Sequence, residues 1–203
     1  AGYTGFATVC SIVVNGIRFD ETGARVTIDG VPDRPVSELR LGMIVEVSGE
    51  VDADARQGRA STIVATPLLV GAVQAVDAAR AEITVLGQRV EVKPGTMLEG
   101  SSTFASVRTG DRVVVYGFWD YFAGHVDATR LEVHSASSPV SAVVGLVGTV
   151  TGTRFTIGSL AVETAGAALA GLPGGIVAGR YVEARGTMDA AQVLNAGSVT
   201  GRS

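Results

Sequence analysis

Cysteine is almost absent from this chain. Cys10 is the only one in 203 residues, so no disulfide can close within it. A lone cysteine ordinarily serves as a small apolar strand residue, with an intermolecular bridge or a reactive thiol as the alternatives. Lysine is as scarce: Lys93 stands alone against fifteen arginines, a bias that nothing in the sequence explains. Basic excess is missing too, since 16 lysines and arginines face 20 acids for a formal charge of −4. Nine acids oppose six bases in residues 1–65, eight oppose six in 70–134, and three oppose four in 142–203, so no basic segment hides inside the average. A nucleic-acid partner needs a basic footprint and is not expected. Long apolar runs are also lacking. The longest nearly uncharged stretch, residues 135–153, is broken by Pro139, Gly145, Gly148 and Gly152 and contains serines, which excludes a membrane-spanning helix there.

What is present suits a folded β protein. Hydrophobic residues make up 46% of the chain and charged residues 18%, enough for a core and against global disorder. The 27 glycines show no triplet period and only six prolines accompany them, which excludes collagen and low-complexity readings. Short strands joined by glycine turns fit better.

Internal repetition decides the organisation. A strand with glycine at both ends occurs three times: Gly42 to Gly49, Gly110 to Gly117 and Gly179 to Gly186. A second marker follows each copy, Ala60-Ser61-Thr62-Ile63, Ala128-Thr129-Arg130-Leu131 and Ala196-Gly197-Ser198-Val199, and Gly16, Gly87 and Gly158 precede them at even spacing. Three markers in constant order give three units, 1–65, 70–134 and 142–203, the first with an abbreviated opening hairpin. Inside the strand, Val45, Val113 and Val182, then Val47, Val115 and Ala184, are apolar in every copy and should point inward. The alternating positions Glu46, Val114 and Glu183, then Ser48, Tyr116 and Arg185, vary as a solvent face would. In the second copy Val114 and Tyr116 make that face apolar, so it is covered by a neighbouring unit or binds something.

In the second unit the expected strands are Gly71–Val76, Ala81–Leu86, Arg89–Val92, Asp111–Tyr116 and His125–Val133. Five strands in this length suit a small, closed or nearly closed antiparallel barrel, which removes aggregation-prone edges. A short helical turn is expected at Ala165–Leu172, ended by Pro173-Gly174-Gly175, with an irregular counterpart at Ser101–Val107. The junctions at residues 65–69 and 135–141 are short, so the units should pack together rather than swing.

At these residues the chain resembles a bacterial family, domain of unknown function 5666. The resemblance rests on Val13-Val14-Asn15-Gly16-Ile17-Arg18-Phe19-Asp20, on Leu39 to Gly49 followed by Gly58-Arg59-Ala60, and on the later copies. It implies an all-β fold of three tandem small OB-like antiparallel β-barrel modules and an extracytoplasmic location. It carries no established activity or catalytic residues to transfer.

Phosphate-binding glycine loops, H-E-x-x-H and G-x-S-x-G motifs are absent. His125 and Asp127 share one strand face and could bear on a metal, but His134 falls on the opposite parity of a regular strand. A ligand set needs three or four convergent groups, so no metal and no cofactor are expected. Asp52 and Asp54 have the look of a calcium loop but lack the remaining oxygens and read as a solvated turn. Acid pairs such as Asp20-Glu21 sit in turns rather than across a cleft. No catalytic residue, and no enzyme, is expected.

The segment that stands out is Tyr116-Gly117-Phe118-Trp119-Asp120-Tyr121-Phe122, which holds five of the eleven aromatics and the sole tryptophan. It is expected as the turn before the closing strand, a connection that binds oligonucleotides or oligosaccharides in OB barrels. Tyr116, Phe118, Trp119, Tyr121 and Phe122 therefore form either a ligand surface or a plug between units. The first reading is a non-catalytic extracytoplasmic scaffold with a homo-oligomeric or other protein partner, self-assembling through strand or module contacts. The segment from Ala1 to Ser11 would dock on a neighbouring copy. The second reading is a carbohydrate-binding protein using the aromatic segment, since an acidic chain favours a neutral glycan. An OB-type nucleic-acid binder comes third.

Overall fold

A computed structural model describes residues 2–8, 11–54, 56–100, 103–134 and 138–202, and Cys10 lies outside them. The described fold is all-β, with two single 3-10 turns at Val36–Glu38 and Phe104–Ser106. Its strands are β1 (Gly2–Thr8), β2 (Ser11–Val14), β3 (Ile17–Asp20), β4 (Arg25–Ile28), β5 (Val31–Arg34), β6 (Ile44–Val51) and β7 (Gln57–Ala65). Next come β8 (Leu69–Asp77), β9 (Glu82–Val85), β10 (Gln88–Glu99), β11 (Arg112–Asp120) and β12 (His125–His134). The last are β13 (Val140–Thr151), β14 (Arg154–Ile157), β15 (Leu160–Glu163), β16 (Ala168–Ala170), β17 (Tyr181–Met188) and β18 (Val193–Gly201).

One circuit of hydrogen-bonded pairings occurs three times. β1 pairs β2, β2 pairs β3, β3 runs parallel to β7, β7 pairs β6, and β6 returns to β1. β8, β9, β10, β12 and β11 close in the same way, with β10 parallel to β12. So do β13, β14, β15, β18 and β17, with β15 parallel to β18. The second and third circuits join through β8 and β13, where Val70 faces Ala142 and Leu69 faces Val143, giving one 11-stranded sheet beside a 7-stranded one.

Period-two alternation builds the interior. Val45, Val47, Val113, Val115, Val182 and Ala184 are all fully buried. Each buried valine contributes roughly 1.5–3 kcal/mol relative to exposure. The opposite face is less open than a solvent face. Glu46 is exposed, but Tyr116 and Glu183 are 1% and 5% exposed. Tyr116 projects from β11 into the buried cluster of the first circuit, beside Val114. The apolar outer face of the second circuit is thus covered by its neighbour.

Both recurrent glycines have a physical cause. The leading one, Gly42, Gly110 or Gly179, sits at φ +89°, +92° or +79°, a region that costs L-residues about 1–2 kcal/mol. The trailing one faces a β-bulge. Register slips between Ser48 and Gly49, Tyr116 and Gly117, and Arg185 and Gly186, leaving Ser61, Thr129 and Gly197 as the extra residue opposite. There the strands approach so closely that a methyl on Gly49, Gly117 or Gly186 would overlap the carbonyl oxygen of Arg59, Asp127 or Asn195. The bulge also divides each closing strand. β7 pairs β3 before it and β4 after it; β12 pairs the two halves of β10; β18 pairs β15 and then β16.

Several expectations are corrected. Ala165–Leu172 is not helical: Ala168–Ala170 is β16, parallel to Ser198–Thr200, because pairing with the second half of β18 overrides alanine's helix preference. Of Ser101–Val107, only Phe104–Ser106 forms a turn, and Ser101 and Ser102 lie outside the described residues. β10 does not stop at Val92 but resumes pairing at Met97 after an irregularity around Pro94. The amino-terminal segment presents no open edge, since β1 is paired on both sides within its own circuit. His125 and His134 do not fall on opposite parities, because the bulge at Thr129 reverses the alternation between them.

The close approach is testable by substitution. Gly117→Ala should cost about 2–3 kcal/mol through overpacking, whereas Gly95→Ala, which meets nothing within 4 Å, should stay within about 0.5 kcal/mol. Urea unfolding followed by Trp119 fluorescence measures both, and equal losses would contradict the bulge geometry.

Candidate functional site

The aromatic segment is mostly strand rather than turn. β11 continues through Asp120, with Phe118, Trp119 and Asp120 opposite Asp127, Val126 and His125. Only Tyr121–Gly124 turns. There the Asp120 carboxylate accepts the amide N–H of Phe122 at 3.0 Å and of Ala123 at 2.8 Å, and its carbonyl accepts that of Gly124 at 2.7 Å. The strand runs past the expected turn because Gly117 is the partner of the bulge rather than a strand end.

Strand alternation then separates the five rings. Tyr116 points outward into the buried cluster of the first circuit, away from the other four rings. Trp119 points the other way, against the shared core of the second and third circuits. Its indole Nε1–H donates to the Val144 carbonyl at 2.7 Å, and its ring stacks on Tyr121 with centroids 5.7 Å apart and planes 17° from parallel. Phe118 and Tyr121 remain 43% and 55% exposed, while Phe122 stands fully in solvent at the turn.

Phe118, Trp119 and Tyr121 wall a groove of about 470 Å³ at the meeting of all three circuits. Ile44 and Val64 come from the first, Leu68 from the junction before β8, and Val144, Leu146 and Tyr181 from the third, with Glu46 and Arg202 as its charged groups. The Trp119–Tyr121 stack divides this groove from a second cleft of about 420 Å³ lined by Gln88, Gly148 and Ser159. Tyr116 and Phe122 line neither. Tyr181, Leu146 and Arg202 were missed from the sequence; they lie outside the aromatic run and reach it only through the packing of the third circuit.

The groove is electrically quiet apart from its rim. Burial pushes the Tyr181 phenol up to about 12, with Tyr121 nearby adding to it and Arg202 opposing. Burial also raises Tyr121 against a backbone hydrogen bond at Leu146. Both hydroxyls therefore stay neutral and can donate as well as accept. Behind Tyr181, burial penalises the Glu183 carboxylate, but Arg202 and Arg185 outweigh it and hold the group below its ordinary value. Arg185 also pairs with Asp29, tying the β4–β5 turn to β17.

The other residues singled out above fall elsewhere. His125 and Asp127 lie on β12 beside Glu91 and Lys93 of β10, two partners the sequence reading missed because only the parallel register, Glu91 opposite Asp127, brings them over. His134 is apart, 3.3 Å from Glu132. Asp54 accepts the Arg56 amide N–H at 3.2 Å and Asp20 that of Thr22 at 3.0 Å, as turn carboxylates do. Among the described residues no helix is long and apolar enough to cross a membrane.

Residues 70–132, nearly the whole second circuit, match the family described as Domain of unknown function (DUF5666), which bears out the resemblance over that span. No curated protein matches the chain.

Two measurements probe the groove wall. Trp119→Phe keeps an aromatic side chain but removes the donor to Val144, and should cost about 1–2 kcal/mol in urea unfolding followed by circular dichroism. Tyr181 holds its proton from about 10 to about 12 when folded and loses it when unfolded, so stability should fall as pH rises through that interval. Tyr181→Phe should flatten part of that fall in unfolding midpoints measured at successive pH values, and an unchanged slope would contradict its burial.

Proposed function

We propose that the chain is a non-catalytic, extracytoplasmic scaffold built of three OB-like barrels, spanning 1–65, 70–134 and 142–203. The repeated five-strand circuits support the barrel reading, since an OB fold is a five-stranded Greek-key barrel. The location rests on the family resemblance. The observation that carries the scaffold reading is Trp119: the one aromatic most suited to a ligand is bonded across to Val144 instead. Its use as a tie between barrels favours a body that acts through its outer surfaces.

Those surfaces include two sheet ends. β5 is exposed throughout but carries Pro32, Asp33 and Arg34, residues that guard an edge against pairing. β16 is exposed throughout and reads Ala168-Leu169-Ala170, with no charge, and Leu169 is 53% exposed. Self-association through this edge would give the homo-oligomer expected of a scaffold. Light scattering across a concentration series should show the mass rising for the native chain and staying monomeric for Leu169→Lys. A native chain that is monomeric at every concentration would remove strand-mediated assembly from the proposal.

A carbohydrate-binding role is the second reading, favoured by Phe118, Tyr121 and Phe122 standing exposed beside an open apolar groove. Stacking on sugar rings needs such flat surfaces. Titration of Trp119 fluorescence with neutral polysaccharides and single-stranded oligonucleotides separates the readings. The scaffold predicts no response to any of them. A glycan response lost in Phe118→Ala/Tyr121→Ala would install the second reading in its place.

A further inference from the structure

The cluster on the outer face of β10 and β12 has no part in the groove or in the scaffold surfaces. Glu91 and Lys93 lie two residues apart on β10, and His125 and Asp127 two apart on β12, so period-two alternation turns all four to one side. The parallel register places Glu91 opposite Asp127, flanked by the pairs Val90–Val126 and Val92–Ala128, whose side chains are buried on the other face. The four groups therefore stand on a rigid ladder rather than on a loop.

Their spacing is specific. His125 Nε2 lies 3.1 Å from Glu91 Oε2 and 3.0 Å from Asp127 Oδ1, and the three ligand atoms all fall within 4.8 Å of one another. Zinc bonds of about 2.0–2.2 Å place neighbouring ligand atoms roughly 3–3.5 Å apart. The imidazole already stands at that distance from both carboxylates. Its side chain is only 13% exposed, so packing sets the ring's direction, while the two carboxylates at 32% and 35% leave a solvent side for water ligands.

We propose that Glu91, His125 and Asp127 form a site for a divalent first-row transition-metal ion, and that Lys93 is its built-in competitor. One imidazole nitrogen with two carboxylate oxygens suits zinc and its neighbours better than calcium or magnesium, which prefer all-oxygen shells. Lys93 Nζ lies 2.8 Å from Asp127 Oδ1 and 3.7 Å from Glu91 Oε2, where it neutralises the pair in the metal-free chain. An incoming dication repels that ammonium, and the flexible stem, half in solvent, lets it swing away. Arg89, also on this face, is engaged elsewhere, donating to the Ala123 carbonyl at 2.9 Å and lying 3.9 Å from Glu82. The same four groups without a metal would be a plain ion-pair cluster, in which the lysine strengthens the assembly instead of opposing a ligand.

Zinc titration of the full chain against a chromophoric chelator distinguishes the two. The proposal predicts saturable binding of one ion per chain. Affinity should fall about tenfold or more in His125→Ala and in Asp127→Asn, rise severalfold in Lys93→Met, and stay unchanged in His134→Ala. Circular dichroism of each variant establishes that it is folded, and a cobalt(II) ligand-field spectrum lost in His125→Ala gives a second readout. Zinc binding that is absent below about 1 mM, equal in His125→Ala and the native chain, or weakened in Lys93→Met would overturn the proposal.

Discussion

Everything in this fold leans on one close contact: a glycine α-carbon lying against the carbonyl of the opposite strand, at Gly49, Gly117 and Gly186. Any side chain there would force the strands apart. With none, the closing strand can carry one extra residue, Ser61, Thr129 or Gly197, and turn its second half over. That inversion lets a single strand serve two partners. Its first half runs parallel to the third strand and closes the circuit. Its second half takes up another short strand, β4, the end of β10, or β16. A bulge of this kind bends and twists the strand, and bending is what a ring of only five strands requires.

The inversion also sets the outer surface. After the bulge in β12, Arg130 points away from the interior and is nonetheless nearly buried, because the first circuit lies over it. Its guanidinium reaches the Leu41 carbonyl at 3.2 Å and pairs with Glu99 and Glu132, while Thr129 Oγ1 donates to the Gly42 carbonyl at 2.7 Å. Before the bulge, the same strand presents His125 and Asp127 to β10. One irregularity thus separates a face that joins circuits from a face that gathers ionisable groups. A buried arginine stranded without these acceptors would be costly.

Much of this was legible in the sequence, and the reasons for what was not are physical. The triplication and the buried stripe of Val45, Val113 and Val182 could be read because glycine placement and period-two patterning are local signals. Ala60-Ser61, Ala128-Thr129 and Ala196-Gly197 were visible as a repeated marker, but their meaning was not. A bulge is a relation between two strands, and nothing in either alone announces it. That single gap accounts for three differences: Gly117 continues the strand, β11 runs on through Asp120, and His134 shares the parity of His125. Tyr116 was seen as anomalous outward apolar surface, yet only the packing of the first circuit shows what covers it. Glu91 and Lys93 cannot be read beside His125 from the sequence, because the parallel pairing joins residues 36 apart with no intervening pattern. The alanine-rich run at 165–172 has a real helical preference, and a strand partner outweighs it.

The groove and the cluster of ionisable groups on β10 and β12 both follow from where circuits meet and where bulges fall, so the bulge is the feature to measure. Cross-strand nuclear Overhauser contacts between backbone protons report the register directly. The account predicts contacts that pair Gly49 with Ala60, Gly117 with Ala128 and Gly186 with Ala196, and that skip Ser61, Thr129 and Gly197 before pairing resumes. An unbroken one-to-one register through those three residues would contradict it.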